Sequence, residues 1–161
     1  MKKTLVSTVT AVLLLLVLTS LAFAAPSAAP GPTPFKGDMH GIETNVAAFP
    51  TLSVTGEGSG NATHLGSYAV AFTAAVNLPT GESTVTAHLT AANGDELFAE
   101  GTGLGIVHGD FSTITEWFII TGGTGRFAGA SGSYELHREL NRLSGESSGD
   151  FAGTIVMAPG K

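Results

Sequence analysis

Glu116 is the residue of this sequence best placed for acid–base chemistry. It lies in the apolar segment 114–120, beside the only Trp of the chain. Strict alternation puts Glu116 on the face of Phe118, where loss of hydration would raise the pKa of the carboxyl group and allow it to act as a general acid or base. Trp117 makes the opposite face apolar as well, so alternation alone does not decide which of the two faces is buried.

Arg138 presents a similar choice within the segment 134–140. We expect it on the surface, in an ion pair with Glu135 or Glu139. An interior Arg138 would require Glu116 or another acid as its partner, because an unpaired buried charge is too costly. Glu116 and Arg138 are therefore the two candidate catalytic residues.

The five His residues form no pattern typical of a metal site. Such sites on strands combine His residues two positions apart, or a His and a carboxylate that converge from neighbouring strands. His40, Asp38 and Glu43 form the nearest cluster, and we interpret it as a solvated strand edge. We expect no metal site.

Residues 123–128 formally match the Gly-x-Gly-x-x-Ala pattern of dinucleotide-binding loops. That pattern needs a long helix directly after the glycines, whose N-terminal amides bind the pyrophosphate. Here only a few residues separate the turn from Gly132 and the next apolar run. We therefore expect no nucleotide cofactor.

The composition indicates strands and tight turns. Of the 161 residues, 43% are hydrophobic and only 12% are charged, and the chain contains 22 Gly and no Cys. This excludes a disordered chain and a disulfide scaffold. A charged fraction of about 25% and a Gly fraction of about 7% are usual, so short strands joined by Gly-containing turns are favoured.

The apolar runs predict about eight strands and no long helix. The best-defined hairpin turns at Asn93-Gly94, a pair that tolerates positive φ angles. Even spacing favours a closed antiparallel barrel, which has no exposed edge strands, with a two-sheet sandwich as the alternative. Glycines at 101, 103 and 105 would permit the bends that closure requires. The predicted strands are 35–47, 51–59, 64–77, 82–91, 95–107, 112–121, 131–139 and 147–157.

The N-terminal sequence predicts export. Residues 1–24 combine a Lys-Lys start, an apolar run and an Ala-Phe-Ala site, as in a signal peptide, and an uncleaved membrane anchor is the alternative. A Pro-rich linker is predicted over 25–34, followed by one barrel domain over 35–158. Cleavage would change the formal charge from −6 to −8. We thus expect a periplasmic or extracellular protein that binds neither nucleic acid nor, without its leader, a membrane.

The most distinctive segment is 119–134, which contains the sequence GGTGRFAGASGSY. It resembles the late turn of the allene oxide cyclase and dirigent β-barrel families, and small exported bacterial proteins of that kind. The resemblance implies one short helical turn near 126–130 and an apolar cavity like those in which these families direct cyclisation or radical coupling of hydrophobic molecules. The matching structural positions are Gly122, Gly123, Gly125, Arg126 and Phe127.

These observations favour a barrel that binds a small hydrophobic molecule in its lumen. One alternative is an enzyme of the cyclase or isomerase kind that uses Glu116. The other is a non-catalytic envelope or extracellular protein with a solid core, since a barrel of about eight strands can be filled by side chains alone. The residues expected to line the lumen or pack the core are Tyr68, Val70, Phe72, Phe98, Phe118, Tyr134, Leu136 and Phe151.

Overall fold

A computed structural model describes residues 30–158 as a closed antiparallel barrel. Eight strands follow one another around the barrel in chain order, and β1 pairs with β8 to close it. The predicted barrel is therefore confirmed, and the sandwich is excluded. The strands are β1 (Thr33–Ala48), β2 (Thr51–Ala62), β3 (Gly66–Asn77), β4 (Glu82–Ala91), β5 (Glu96–His108), β6 (Phe111–Gly123), β7 (Ser131–Asn141) and β8 (Glu146–Val156).

The first strand begins earlier than the sequence indicated. Thr33 and Pro34 pair with Ile155 and Thr154 of β8, so the last two residues of the predicted linker belong to the barrel. A proline is tolerated at the start of a strand, where its missing N–H removes little of the ladder. The predicted signal peptide lies outside the described residues. Between residues 30 and 158, no helix is long and apolar enough to cross a membrane.

One end of the barrel is closed by buried side chains. Phe127 and Leu65, from two loops at this end, are 0% and 3% exposed. Beneath them Tyr134 stacks on Phe118, with ring centroids 4.8 Å apart, and meets Phe35 edge-on at 5.4 Å. The space left among the side chains below this end is about 30 Å³, no more than the volume of one water. This half of the barrel is a packed core.

The turn at the closed end matches the expectation for 126–130 closely. A single 3-10 turn, Gly125–Phe127, precedes β7. Gly125 has a φ of +52°, a left-handed conformation that favours glycine. Arg126 donates through Nη2 to the carbonyl of Leu65 at 3.3 Å, and its guanidinium lies 5.0 Å from the centre of the Phe127 ring. These contacts hold Phe127 in place as the plug.

Candidate functional site

The other half of the barrel contains a cavity of about 400 Å³. Its wall consists mainly of inward-facing apolar side chains near the strand ends, where the β1–β2, β3–β4, β5–β6 and β7–β8 loops surround the mouth. Its floor is charged, which distinguishes it from the packed half below. The apolar wall includes Ala47, Leu52, Val54, Ala74, Val76 and Ile114.

Arg138 and Glu116 form a bidentate ion pair in that floor. The guanidinium donates through Nε to Glu116 Oε2 at 2.9 Å and through Nη2 to Glu116 Oε1 at 3.0 Å. The strand register creates this geometry, because Arg138 on β7 lies opposite Ile114 on β6, two positions from Glu116. The two side chains are diagonal neighbours on the inner face, a separation that long side chains span.

Two further residues complete the floor. Arg138 Nη1 donates to Glu43 Oε1 on β1 and to Ser147 Oγ on β8, the latter at 2.9 Å. Four consecutive strands around the barrel, β6, β7, β8 and β1, thus contribute one residue each. We call Arg138, Glu116, Glu43 and Ser147 the Arg138 cluster.

The Arg138 cluster is almost completely removed from water. The side chains of Arg138, Glu116 and Glu43 are 4%, 3% and 2% exposed. Burial raises the pKa of Glu43, and Arg138 only partly offsets this effect. Burial acts to lower the pKa of Arg138, but hydrogen bonds and charges from Glu116 and Glu43 outweigh it and raise that pKa. Arg138 therefore stays charged, while Glu43 takes up a proton more readily than an exposed Glu.

The cluster separates the cavity from the packed core. The guanidinium carbon of Arg138 lies 5.4 Å from the centre of the Phe72 ring, a cation–π contact. Among the described residues, no buried side-chain nitrogen or oxygen lacks a hydrogen-bond partner. A buried charge with all its partners in place keeps one geometry, so the floor is a rigid polar surface.

The structure decides the two choices that alternation left open. Glu116 faces the interior. The expectation that Arg138 pairs with Glu135 or Glu139 on the surface is wrong, because Arg138 occupies an inward position where two acids meet it. Glu135 lies on the outer face and contacts His137, with Oε1 and Nε2 3.1 Å apart.

Glu43 is the site residue that the sequence reasoning missed. The interpretation of Glu43 with His40 and Asp38 as a solvated strand edge is wrong for Glu43. His40 and Asp38 do face outward, where His40 Nε2 lies 3.1 Å from Ser59 Oγ. Glu43 instead shares the inner face with Phe35 and Met39, at intervals of four residues. Residues an even number of positions apart lie on the same face of a strand, so this spacing was the sequence signal that places Glu43 in the interior. Within residues 30–158, no three His, Cys, Asp or Glu side chains are grouped as a metal site would require.

Most of the predicted lining residues point inward. Tyr68, Val70, Phe72, Phe118, Tyr134, Leu136 and Phe151 surround the small space beneath the Arg138 cluster. Phe98 is the exception, and that prediction is wrong. It lies on the outer face against His88, with ring centroids 4.9 Å apart. The Asn93-Gly94 turn sets a register in which Leu97 lies opposite the buried Leu89, so Leu97 and Ala99 take the inward positions.

No model of a known protein family and no curated protein matches this chain. The Gly-rich turn is followed by a strand at Ser131 instead of a long helix, so it lacks the helix N-terminus that a pyrophosphate site uses. The cavity and the Arg138 cluster are therefore the features of this chain that point to a function.

Proposed function

We propose that this protein binds a small amphipathic molecule in the open half of its barrel. The observation that carries the proposal is the charged floor beneath apolar walls. Ligand sites are typically apolar pockets of about 300–1,000 Å³ in which a few fixed polar groups orient the ligand. The cavity of about 400 Å³ falls in this range.

The charges of the floor indicate the polar end of the ligand. With both acids ionised, Glu43 and Glu116 surround one guanidinium and leave the floor with an excess negative charge. Arg138 donates to Oε1 of Glu43 and not to Oε2, so Oε2 has the capacity to accept a hydrogen bond from a ligand. A hydroxyl group would donate there, whereas a carboxylate at the floor would be repelled by the two acids. Arg142, the other cation that lines the cavity, is exposed and donates to the carbonyl of Gly109 at the mouth. We therefore favour a neutral alcohol or phenol with an apolar body.

Acid–base catalysis on the bound molecule is the second candidate. The resemblance to allene oxide cyclase and dirigent barrels suggests a cyclase or isomerase, and the proposed group changes from Glu116 to Glu43. Both acids border the cavity, but both oxygens of Glu116 accept bonds from Arg138, whereas only one oxygen of Glu43 does. Burial also raises the pKa of Glu43. A carboxyl group with a pKa nearer to neutrality serves better as a general acid or base.

A variant that fills the cavity tests the binding proposal. Ala74 lines the cavity, and Ala71 on the same strand is exposed on the outer face. Neutral alcohols and phenols from a cell extract should raise the melting temperature of the wild-type protein and of Ala71→Trp, because a ligand that binds only the folded form stabilises it. Ala74→Trp should abolish the shift.

Two outcomes would contradict ligand binding in the cavity. If no fraction of the extract shifts the wild-type melting temperature, or if Ala74→Trp responds like Ala71→Trp, the cavity is not the ligand site. Catalysis is tested on the bound fraction by chromatography before and after incubation. Conversion that continues unchanged in Glu43→Gln would remove Glu43 from the catalytic proposal.

A further inference from the structure

Large apolar side chains surround the mouth of the cavity and face solvent. Phe49 in the β1–β2 loop is 82% exposed, and Leu143 in the β7–β8 loop is 78% exposed. Leu78 in the β3–β4 loop is exposed as well, as are Val107 and Phe111 on the strand ends that flank the β5–β6 loop. We call this set the rim, and it consists of Phe49, Leu78, Val107, Phe111 and Leu143.

The loops at the opposite end of the barrel behave differently. There the large apolar loop residues, Leu65 and Phe127, are turned inward and buried. The hairpin turn at that end consists of polar or small residues, among them Asn93 and Asp95. The same chain therefore buries apolar loop residues at one end and exposes them at the other. Large apolar side chains exposed together around a cavity mouth are typical of a place of contact with another molecule.

The charged residues at this end of the barrel restrict the kind of molecule that can contact the rim. Glu82, Asp110 and Glu146 are exposed at the same end as the rim, and Arg142 is the one exposed Lys or Arg there among the described residues, so this end carries an excess of negative charge. A second copy docked mouth to mouth would bring these acids together, and an anionic surface would be repelled by them. A surface without net charge, such as that of zwitterionic lipids above their apolar chains, meets no such penalty. The expectation of no membrane binding was based on attraction between charges, and it does not cover apolar contact.

We propose that the rim docks on the surface of a zwitterionic lipid bilayer, so that the apolar ligand passes between bilayer and cavity without crossing water. This inference rests on the proposed function, since it supplies the route by which a poorly soluble molecule reaches the cavity. Phe49 and Leu143 would insert at the headgroup boundary, with the barrel axis near the bilayer normal.

Flotation with phosphatidylcholine vesicles tests the docking. The wild-type protein, collected after export, should float with the vesicles, and added salt or anionic lipid should not strengthen binding. The double variant Phe49→Ser, Leu143→Ser should bind about tenfold more weakly, because it removes two large apolar contacts. Ile119→Ser is the matched control. Ile119 is 65% exposed on the outer wall, away from the rim, and its replacement should change binding less than about twofold.

A second measurement separates this inference from the ligand proposal. N-phenyl-naphthylamine, a neutral fluorescent dye, should bind from water equally well to the wild-type protein and to the double rim variant, and should not bind to Ala74→Trp. If the wild-type protein binds the dye but fails to float, docking is overturned and ligand binding stands. If it floats without binding the dye, ligand binding is overturned. Equal flotation of the rim variant and Ile119→Ser, or a dimer that the rim substitutions abolish, also overturns docking on lipid.

Discussion

Replacing Arg138 with Met should expose the energetic role of the buried cluster. The arginine donates to Glu116 through two bonds and to Glu43 and Ser147 through Nη1. The substitution retains an apolar stem and leaves two buried carboxyl groups without a cation. Removal of one partner from a buried ion pair costs about 3–5 kcal/mol.

The pH dependence gives a second estimate. Without Arg138, one of the two carboxyl groups should take up a proton in the folded state. An exposed Glu has a pKa of about 4.3, so protonation at pH 7 costs about 3.7 kcal/mol at about 1.36 kcal/mol per pH unit. The pKa of that carboxyl group is then higher in the folded variant than in the unfolded chain. The variant therefore keeps its stability below the unfolded-state pKa and loses stability as the pH rises. Compared with wild type, Arg138→Met should lose about 4 kcal/mol of unfolding free energy at pH 7 but only about 1 kcal/mol at pH 5.

Urea denaturation followed by far-UV circular dichroism measures both effects. Arg142→Met is the matched control, because Arg142 is exposed at the mouth, and its loss should stay below about 1 kcal/mol at both pH values. If Arg138→Met is unfolded at pH 7, it should refold at pH 5. The triple variant that also carries Glu43→Gln and Glu116→Gln should lose the pH dependence. A loss below about 1 kcal/mol at pH 7, or an equal loss at pH 5 and pH 7, would refute the reasoning.

Two further predictions concern the plug and the acid of the cavity floor. Phe127→Ala should lower the free energy of unfolding by about 3–5 kcal/mol, whereas Phe49→Ala, at an exposed rim position, should change it by less than about 0.5 kcal/mol; equal losses would show that Phe127 is not the plug. Because burial raises the pKa of Glu43, its contribution to stability should decline as the pH rises from its ordinary value through the raised one. The wild-type minus Glu43→Gln difference in urea-denaturation free energy should show that decline, and a flat difference would contradict the burial of Glu43.

The local sequence pattern predicted the eight strands and favoured a barrel over a two-sheet sandwich. Glycine-rich turns and the alternating strands predicted eight elements in the observed order, and the resemblance at the Gly-Gly-Thr-Gly-Arg-Phe segment predicted the short helical turn before β7. These are local properties: a turn pair such as Asn93-Gly94 selects its backbone angles without reference to distant residues. Strand periodicity likewise needs only neighbouring positions.

The site required the tertiary structure. Both faces of the strand around Glu116 are apolar, so the local pattern gave no preference. The choice depended on Arg138, 22 residues from Glu116 along the chain, and on Glu43, 95 residues from Arg138. Barrel closure brings β1 beside β8 and places Glu43 within reach of Arg138. A buried charge is stable only when its partners arrive together, and that condition belongs to the closed barrel as a whole. The exposed rim and the cavity it surrounds are likewise properties of how the loops assemble at one end.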